Sequence, residues 1–575
     1  MSSFVHFVYK LVFVGAVYNT ILRGLTTLFK TFLNNNVIIL GMLKLFLLTL
    51  HLTHAGNILF FSPSGGSHHF LLVEIANTLA TEHNVTFINQ VADTNTERFD
   101  ARIKLVTPQG EGLSWANHGQ LEEVVGGIMN RWGDTEDSTL MHIDFLDLDE
   151  EGHAALNNYV MIRYKYFTST EYLELVKAGG FDVIVVDDSN IYPVFIEANL
   201  QIHHLKIPFV QVTAAVEHMD PKHKQNYPYL YNSEPSMMNP SIVHTALTFS
   251  QRVEALVSLC SIFYELSGYL FWLHAQLPQY GLSTLDDLNS RIHLHLINDH
   301  PALSFPHLDP PNILNIGCFH CTPAKELPAD LTSFIQSSEM PVVYVSFGSY
   351  CRSDIVPWFK DFLSLLETLD IKVVLKVLEG DKLKLNDLSD KFLVKSWVAQ
   401  KDLLGSGKVK IFISHCGNNG RLESVYYKVP ILCVPLFGDQ YMNALLSERR
   451  NFGRTVLKEK MFGKEGGLVE ALTEMLDNST FYQNKVDVAS DIIQSEPAGG
   501  KEKILYFFRL LTKNGNLDFL KNDVIGDQGM IEMHNLDIVC GVIVLVLLVI
   551  LTVLYVTVKC CCMIKKRVLG KTKTE

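Results

Sequence analysis

The sequence predicts two successive parallel α/β domains facing a common cleft, followed by one transmembrane helix. Three observations carry this. Short β-branched or aromatic runs alternate with helical patterns over most of the chain, which is the grammar of parallel α/β units. Residues 300–328 hold six prolines, at 301, 306, 310, 311, 323 and 328, and few helix formers, which marks an interdomain linker. Ile538–Val558 runs for 21 residues without a charge. As a helix it reaches about 31 Å, enough for the ~30 Å hydrocarbon core of a bilayer.

In the first half, strands are expected at Asn57–Phe61, Val85–Ile88, Arg102–Val106, Asp182–Asp187 and Phe209–Val212. In the second they fall at Val342–Phe347, Lys372–Leu378, Leu393–Lys395, Lys410–Ile413 and Ile431–Val434. The resulting division is 1–55 as N-terminal extension and signal peptide, 56–299 as first domain, 300–328 as linker and 329–515 as second domain. A juxtamembrane segment 516–537, the membrane helix 538–558 and a tail 559–575 complete it. Ligands of open α/β sheets sit beyond the carboxyl ends of the strands, so polar residues just after strands are the ones to inspect.

The 575 residues carry 48 Lys plus Arg against 61 Asp plus Glu, a formal charge of −13. The ends are unlike the middle. The tail contributes +5 and residues 1–55 contribute +4, which leaves a body of about −22. An acidic body excludes a nucleic-acid surface, which needs a basic face against phosphates. Basic residues after the apolar run and Asp523, Asp527, Glu532 and Asp537 before it orient the tail to the cytoplasm and the body to the other side. Residues 1–55 hold two apolar runs, Phe4–Val17 and Val37–Leu50. The second has signal-peptide grammar, from Met42-Leu-Lys44 to the small residue Ala55. Translation is therefore expected to start functionally at Met42, with residues 1–41 an upstream extension. The sequons Asn84-Val-Thr86 and Asn478-Ser-Thr480 suit an exported body as glycosylation candidates.

Cysteines in the body are too sparse for a disulfide framework. Cys318-Phe-His-Cys321 has metal-like spacing without a second pair, so structural cysteines fit better than zinc. Cys560, Cys561 and Cys562 abut the membrane and are candidates for acylation.

The densest chemical signal follows the strand Lys410–Ile413. Ser414-His415-Cys416-Gly417-Asn418-Asn419-Gly420 leads into the helical stretch Arg421–Tyr427. A strand, a small-residue turn and a helix start aim free N–H groups and a positive dipole end at one spot, an anion site suited to a diphosphate. His415 and Asn419 can donate to phosphate oxygens, and Glu423 can accept from ribose hydroxyls. On spacing alone an ordinary Asn-capped helix fits as well. The flanking text decides: Trp397-Val-Ala-Gln400 upstream, then Val429-Pro430 and Pro435-Leu-Phe-Gly-Asp439-Gln440 with Asn443-Ala444 downstream.

With these residues in this order the chain resembles the UDP-glycosyltransferases, specifically the animal membrane-bound UDP-glucuronosyltransferases, over about Gly56–Glu575. The resemblance implies a GT-B fold, two Rossmann-like domains facing a cleft. It implies that Trp397 stacks on uracil, Gln400 contacts base or ribose, and Glu423 holds ribose hydroxyls. His415, Gly417, Asn419, Gly420 and the turn Ser346-Phe-Gly348-Ser349 embrace the diphosphate, and Asp439 and Gln440 bond the sugar hydroxyls. The family's catalytic histidine follows G-S, which maps to His68 in Ser62-Pro-Ser-Gly-Gly-Ser-His68-His69, with His69 adjacent. Its F-D-x-x-x-x-D pattern selects Asp187 as the carboxylate behind that base, with Asp188, on the other strand face, the alternative inward-facing acid. Implied chemistry is single-step inversion at the anomeric carbon, with UDP leaving and a small lipophilic hydroxyl compound as acceptor. No metal or cofactor is expected. Asp147-Leu-Asp149 has the manganese-binding D-x-D form but lies in an acid-rich run that reads as a solvated face.

Cys416 and Lys428 depart from the family pattern, and a thiol at 416 is expected to disturb the donor site. Ala255–Trp272, interrupted by Glu265, reads as an acceptor-side or membrane-touching helix. Lys571-Thr-Lys573-Thr-Glu575 has the K-x-K-x-x form of a retrieval signal, which places the protein in the endoplasmic-reticulum membrane, where homo- or hetero-oligomers with relatives can form. UDP-glucose or UDP-N-acetylglucosamine as donor, or a catalytically silent binding protein, remain alternatives.

Overall fold

In the computed structural model, the described residues are 55–62, 66–89, 98–107, 170–187, 206–214, 291–304, 309–348, 358–377, 385, 388–436, 439–464, 466–521 and 536–571. Met42 and the leader, Asp147-Leu-Asp149, Asp188, Ala255–Trp272, Ser349 and residues 572–575 lie outside them.

The first sheet takes β1 Asn57–Phe61, β2 Asn84–Ile88, β3 Lys104–Val106, β4 Val183–Asp187, β5 Phe209–Thr213, β6 Ile292–Ile297 and β7 Ile313–Asn315. Their order is β3-β2-β1-β4-β5-β6-β7, every neighbouring pair parallel. The second sheet takes β8 Val342–Ser346, β9 Lys372–Lys376, β10 Phe392–Lys395, β11 Val409–Ser414, β12 Ile431–Cys433 and β13 Gly453–Thr455. Its order, β10-β9-β8-β11-β12-β13, repeats the first pattern and is again parallel throughout. Helices α1 Gly66–Leu79 and α2 Thr170–Ala178 go with the first sheet. With the second go α3 Ala329–Gln336, α4 Phe359–Glu367, α5 Gln400–Gly405, α6 Asn418–Tyr426, α7 Gln440–Arg449, α8 Leu468–Asp477 and α9 Ser479–Gln494. Two more follow, α10 Gly500–Asn514 and α11 Leu536–Lys571.

Central strands such as β4 and β8 are buried along their whole length, because helices cover both faces of a parallel sheet; they read as unbroken apolar runs for that reason. The ten expected strands all form, with ends shifted by a residue or two. Three were not expected. β6 reads Ile-His-Leu-His-Leu-Ile, and its histidines look like a polar face, yet His293 and His295 are both buried. β7 and β13 are only three residues long. A Cβ at Gly453 would lie 1.7 Å from the Ile431 carbonyl oxygen, so only glycine lets β13 lie this close to β12.

Two boundaries need correction. Residues 300–328 are not a bare linker: β7 completes the first sheet, while Leu303, Cys318 and Cys321 pack into the core of the second domain. Residues 500–514 do not stay with the second domain. Helix α10 returns to the first, where Ile504, Phe508 and Leu511 join Ile58, Leu71 and Leu72 in one core, and Arg509 pairs with Glu82. Its apolar positions recur at helical spacing, so the sequence shows a helix but not which core receives it. Gly515, at φ 74°, ends it in the left-handed conformation. Helix α11 is exposed on all sides over its apolar stretch Leu536–Ile564, and fits a single-pass membrane anchor.

Three buried histidines hold segment ends through neutral rings. Nδ1 of His83 accepts from the Gly56 N–H at 3.2 Å, that of His293 from Leu517 at 3.2 Å, and that of His300 from Ala302 at 3.1 Å. Burial lowers the pKa of each against the pull of nearby carboxylates, that of His293 to about 4. The unfolded chain takes up these protons near pH 6.5 and the folded chain resists them. Stability is therefore full above about pH 6.5 and falls as pH drops towards about 4. Thermal unfolding of the detergent-solubilised protein from pH 7.5 to 5 should show this decline, and His293→Gln, which keeps an acceptor but cannot titrate, should make it shallower. Phe508→Ala should cost about 3–5 kcal/mol, read by denaturant unfolding, because it opens a cavity where α10 meets the first core.

Candidate active site

Both sheets reverse their strand order at one place, between β1 and β4 in the first and between β8 and β11 in the second. Chains leaving two adjacent strands in opposite directions open a crevice there. His68 and Asp187 come from the segments at the ends of β1 and β4, and Ser346, Gly348, His415, Gly417, Asn419, Gly420 and Glu423 from those at the ends of β8 and β11.

In the first domain, β1 runs into α1, and α1 presents His68. Its Nδ1 lies 3.0 Å and 3.2 Å from the two carboxylate oxygens of Asp187 at the end of β4. Asp187 is buried, whereas the His68 side chain is 31% exposed, so the ring reaches from a buried carboxylate into the cleft. With the proton on Nδ1 for Asp187, the lone pair of the ring is on Nε2. His69, one residue on, points elsewhere. It is 2% exposed, its Nδ1 lies 2.7 Å from Ser62 Oγ, and its ring meets Phe87 and Phe99 edge-on. Of the two histidines, His68 is the one brought to Asp187.

In the second domain, β8 ends at Ser346 and the chain turns at Gly348 with φ 85°. A Cβ there would sit 2.8 Å from the His415 ring, and one at Gly417 only 2.5 Å from His415 Nε2. The two glycines make the slot in which His415 stands, next to the start of α6. Burial, then the charge of Lys376, lower the His415 pKa to about 4. The ring is thus neutral near pH 7 and donates as an N–H rather than as a cation. The first N–H groups of α6, including those of Asn419 and Gly420, have no partners within the helix itself. Asn419 also accepts from Asn298 Nδ2 at 2.6 Å, across the cleft.

Trp397 is 66% exposed, unusual for a tryptophan, and has two cations near its ring. Lys376 Nζ and the Arg98 guanidinium each lie 5.8 Å from its ring centre. Gln400 is a brace: it accepts from the Tyr344 hydroxyl at 3.1 Å and donates to Glu423 at 2.7 Å. Burial alone would raise the Glu423 carboxyl, but His320, Gln400 and Lys401 outweigh it and hold the group below its ordinary value. Asp439 goes the other way. Burial raises it, while an Asn443 hydrogen bond of 2.8 Å and the nearby charges of His68 and Arg421 oppose the rise. Gln440 is buried and its Oε1 accepts from the Leu436 N–H at 2.9 Å, so its carbonyl end supports its own turn.

Sequence reasoning missed three residues here. Lys376 ends β9, donates to the Gly348 carbonyl at 3.3 Å, and has its pKa lowered by burial against the pull of Glu423. Its signal was a cation closing a buried strand. Asn418 donates to the carbonyls of Ala214 at 2.9 Å and Asn298 at 2.5 Å, clasping the α6 start to the ends of β5 and β6. Asn298 follows a strand that was not expected. Cys416 brings no free thiol to the site: it is fully buried and bonded to Cys433 across β11 and β12. Lys428 takes a left-handed φ of 62° and pairs with Asp491 at the surface. Ligand atoms of Cys318, His320 and Cys321 lie within 4.8 Å of one another, but the two sulfurs are bonded to each other, which leaves no thiolates for a metal. Asn84 and Asn478 are both exposed.

Known proteins resemble this chain over most of its length. UDP-glucuronosyltransferase 2B13 of Oryctolagus cuniculus is 29% identical over 416 residues, 70% of this chain and 73% of the relative. UDP-glucuronosyltransferase 2A2 of Mus musculus is 25% identical over 549 residues, 92% of this chain and 97% of the relative. Among solved structures, the kitacinnamycin glycosyltransferase aligns with a TM-score of 0.53 at 16% identity, covering 81% of this chain and 100% of its own. Os79 from O. sativa gives 0.53 at 14% identity, covering 79% and 100%. These structures share the fold, which is GT-B: two Rossmann-like domains. The family model for UDP-glucuronosyl and UDP-glucosyl transferases matches residues 56–575, and the chain belongs to that family of UDP-glycosyltransferases.

Proposed function

We propose that the protein transfers glucuronic acid from UDP-glucuronate to a hydroxyl of small lipophilic acceptors, with inversion, using His68 as general base and Asp187 as its orienting carboxylate. The contact between His68 Nδ1 and Asp187, at 3.0 Å, carries the reading. It fixes the tautomer that leaves Nε2 to take the acceptor proton as the hydroxyl oxygen attacks the anomeric carbon. Asp187 then stabilises the imidazolium. On the opposite side of that carbon, UDP leaves towards the start of α6. Neutral His415, the N–H groups of Asn419 and Gly420 at the start of α6, the Ser346–Gly348 turn and Lys376 meet the charge that develops on the diphosphate. Trp397 stacks on uracil, Glu423 holds the ribose, and Asp439 with Gln440 holds sugar hydroxyls. No step requires a metal, so turnover in EDTA is expected to match turnover without it. The choice of glucuronate as donor is supported by the rabbit and mouse relatives, which are UDP-glucuronosyltransferases by name.

The same reading places the protein in the endoplasmic-reticulum membrane as a single-pass type I protein, with catalytic domains in the lumen, a cleaved leader, and glycans on Asn84 and Asn478. Sealed microsomes check it. Protease should remove only a C-terminal tag, and endoglycosidase should shift parent protein but not the Asn84→Gln, Asn478→Gln double variant. A protease-sensitive body would overturn the orientation.

His68→Ala should lower kcat by about a hundredfold to ten-thousandfold while leaving UDP affinity within about twofold, because a base acts in the transition state and not on the nucleotide. His69→Ala should instead lower thermal stability, through lost packing on Phe87 and Phe99. Titration calorimetry with UDP and initial rates with UDP-glucuronate measure both. Unchanged turnover in His68→Ala would remove the base assignment, and preferential use of UDP-glucose by the parent would change the donor.

A further inference from the structure

The turn Cys318-Phe319-His320-Cys321 plays no part in the reaction as described, yet it is built with care. It is closed by a Cys318–Cys321 disulfide, and Cys318 takes a left-handed φ of 59°. Phe319 is buried in the core of the first domain, while Cys318 and Cys321 are buried in that of the second. The next residue, Thr322, accepts from the Tyr427 hydroxyl at 2.6 Å, just beyond α6. Lys401 on α5 donates to the His320 carbonyl at 3.2 Å and lies 3.7 Å from Glu74 on α1. A backbone held at so many points gives the side chain it carries a fixed starting place.

His320 is that side chain. It is 7% exposed, and its Nε2 lies 3.3 Å from Oε1 of Glu423, which is itself 8% exposed. The other oxygen, Oε2, accepts from Gln400. The imidazole against one oxygen and the amide hydrogen bond on the other together limit rotation of the carboxylate. Gln400 is in turn held by Tyr344, so both supports are rigid.

We propose that His320 is a positioning residue: held on its disulfide-closed turn, it fixes the Glu423 carboxylate so that two lone pairs face the ribose hydroxyls of the nucleotide. This rests on the ribose role of Glu423 proposed above. A carboxylate with one free torsion would lose part of each ribose hydrogen bond to rotation. Held in plane, it discriminates a ribonucleotide from its deoxy counterpart through a charged hydrogen bond. His320 touches no reacting atom, so its effect falls on donor recognition and not on bond making.

The test compares affinities of the full-length protein in detergent for UDP and 2′-deoxy-UDP by titration calorimetry, together with KM and kcat for UDP-glucuronate. The parent should prefer UDP by about tenfold or more. His320→Phe, which fills similar volume without an N–H, should cut that preference to within about threefold of unity and raise KM, with kcat at saturation within about threefold of the parent. His320→Gln, which keeps a donor, should retain the preference. Loss of packing alone would not single out the 2′-hydroxyl, nor would it be rescued by glutamine. Preference lost in Glu423→Gln but kept in His320→Phe would overturn this proposal alone. A preference untouched in Glu423→Gln would overturn the ribose assignment beneath it.

Discussion

Everything in the cleft depends on the parallel registers beside the two reversal points. In the first sheet Phe61 is level with Val186, so β1 and β4 end together and the next residues meet: Asp187 closes β4 and α1 brings His68 over it. In the second sheet Ser414 is level with Ser346, which sets the Gly348 turn against His415. Slipping either pair by one residue would turn each side chain to the other face. Buried apolar residues on both faces specify these registers strongly, so the chemistry borrows its precision from the cores. That is why polar residues at strand ends can be placed without rigid loops of their own.

A second constraint joins the domains through polar contacts rather than apolar ones. Arg421 on α6 is fully buried, lies 3.6 Å from Asp299, and donates to the Leu303 carbonyl at 3.3 Å and to Asn418 Oδ1 at 3.2 Å. Asn418 passes the link on to Ala214 and Asn298 of the first domain. A buried charge removed from its partners costs about 3–5 kcal/mol, far more than a surface pair contributes. The α6 start is therefore anchored to the first domain from within, while its outer N–H groups face the donor side. Burial of an arginine here is a cost that pairing offsets, and what it secures is a fixed distance between the two halves of the site.

Strand and helix alternation was legible because parallel strands covered on both faces leave plain apolar runs such as Val183–Val186 and Val342–Val345. Strands that hide polar residues were not. β6 carries two buried histidines that a pattern reading scores as solvent-facing, and β7 lies among prolines. Helix α10 was visible as a helix, but its return to the first core is a long-range fact that local periodicity does not encode. In the site, residues with spaced motif text around them, from Trp397 to Ala444, could be named from sequence. Their partners could not: Lys376 belongs to a strand, Asn298 to an unexpected one, and Gln400 reads as a ligand contact although both its amide ends are used on Tyr344 and Glu423. His68 and His69 are adjacent, and the resemblance favours His68 by its place after G-S; the direction each leaves α1 then separates them by their partners, Asp187 and Ser62.

The distribution of charge around the cleft follows one logic. Glu423, Asp439 and Asp187 are acids beside a site proposed for an anionic nucleotide, which looks unfavourable until each is traced to its partner. Glu423 is spanned by His320 and Gln400 and kept ionised as an acceptor for hydroxyls. Asp439 is raised by burial, with Asn443 bonded to it, and Asp187 is committed to His68. Their charge is directed at hydroxyls and at a ring. In the proposed function the diphosphate meets, among the described residues, mainly oriented dipoles and a neutral His415, with Lys376 as the nearby cation. Dipoles of fixed orientation cost no reorganisation as charge moves onto the leaving group, and they hold the departing UDP less tightly than a cationic cluster would. Such a site can stabilise departure and still release its product.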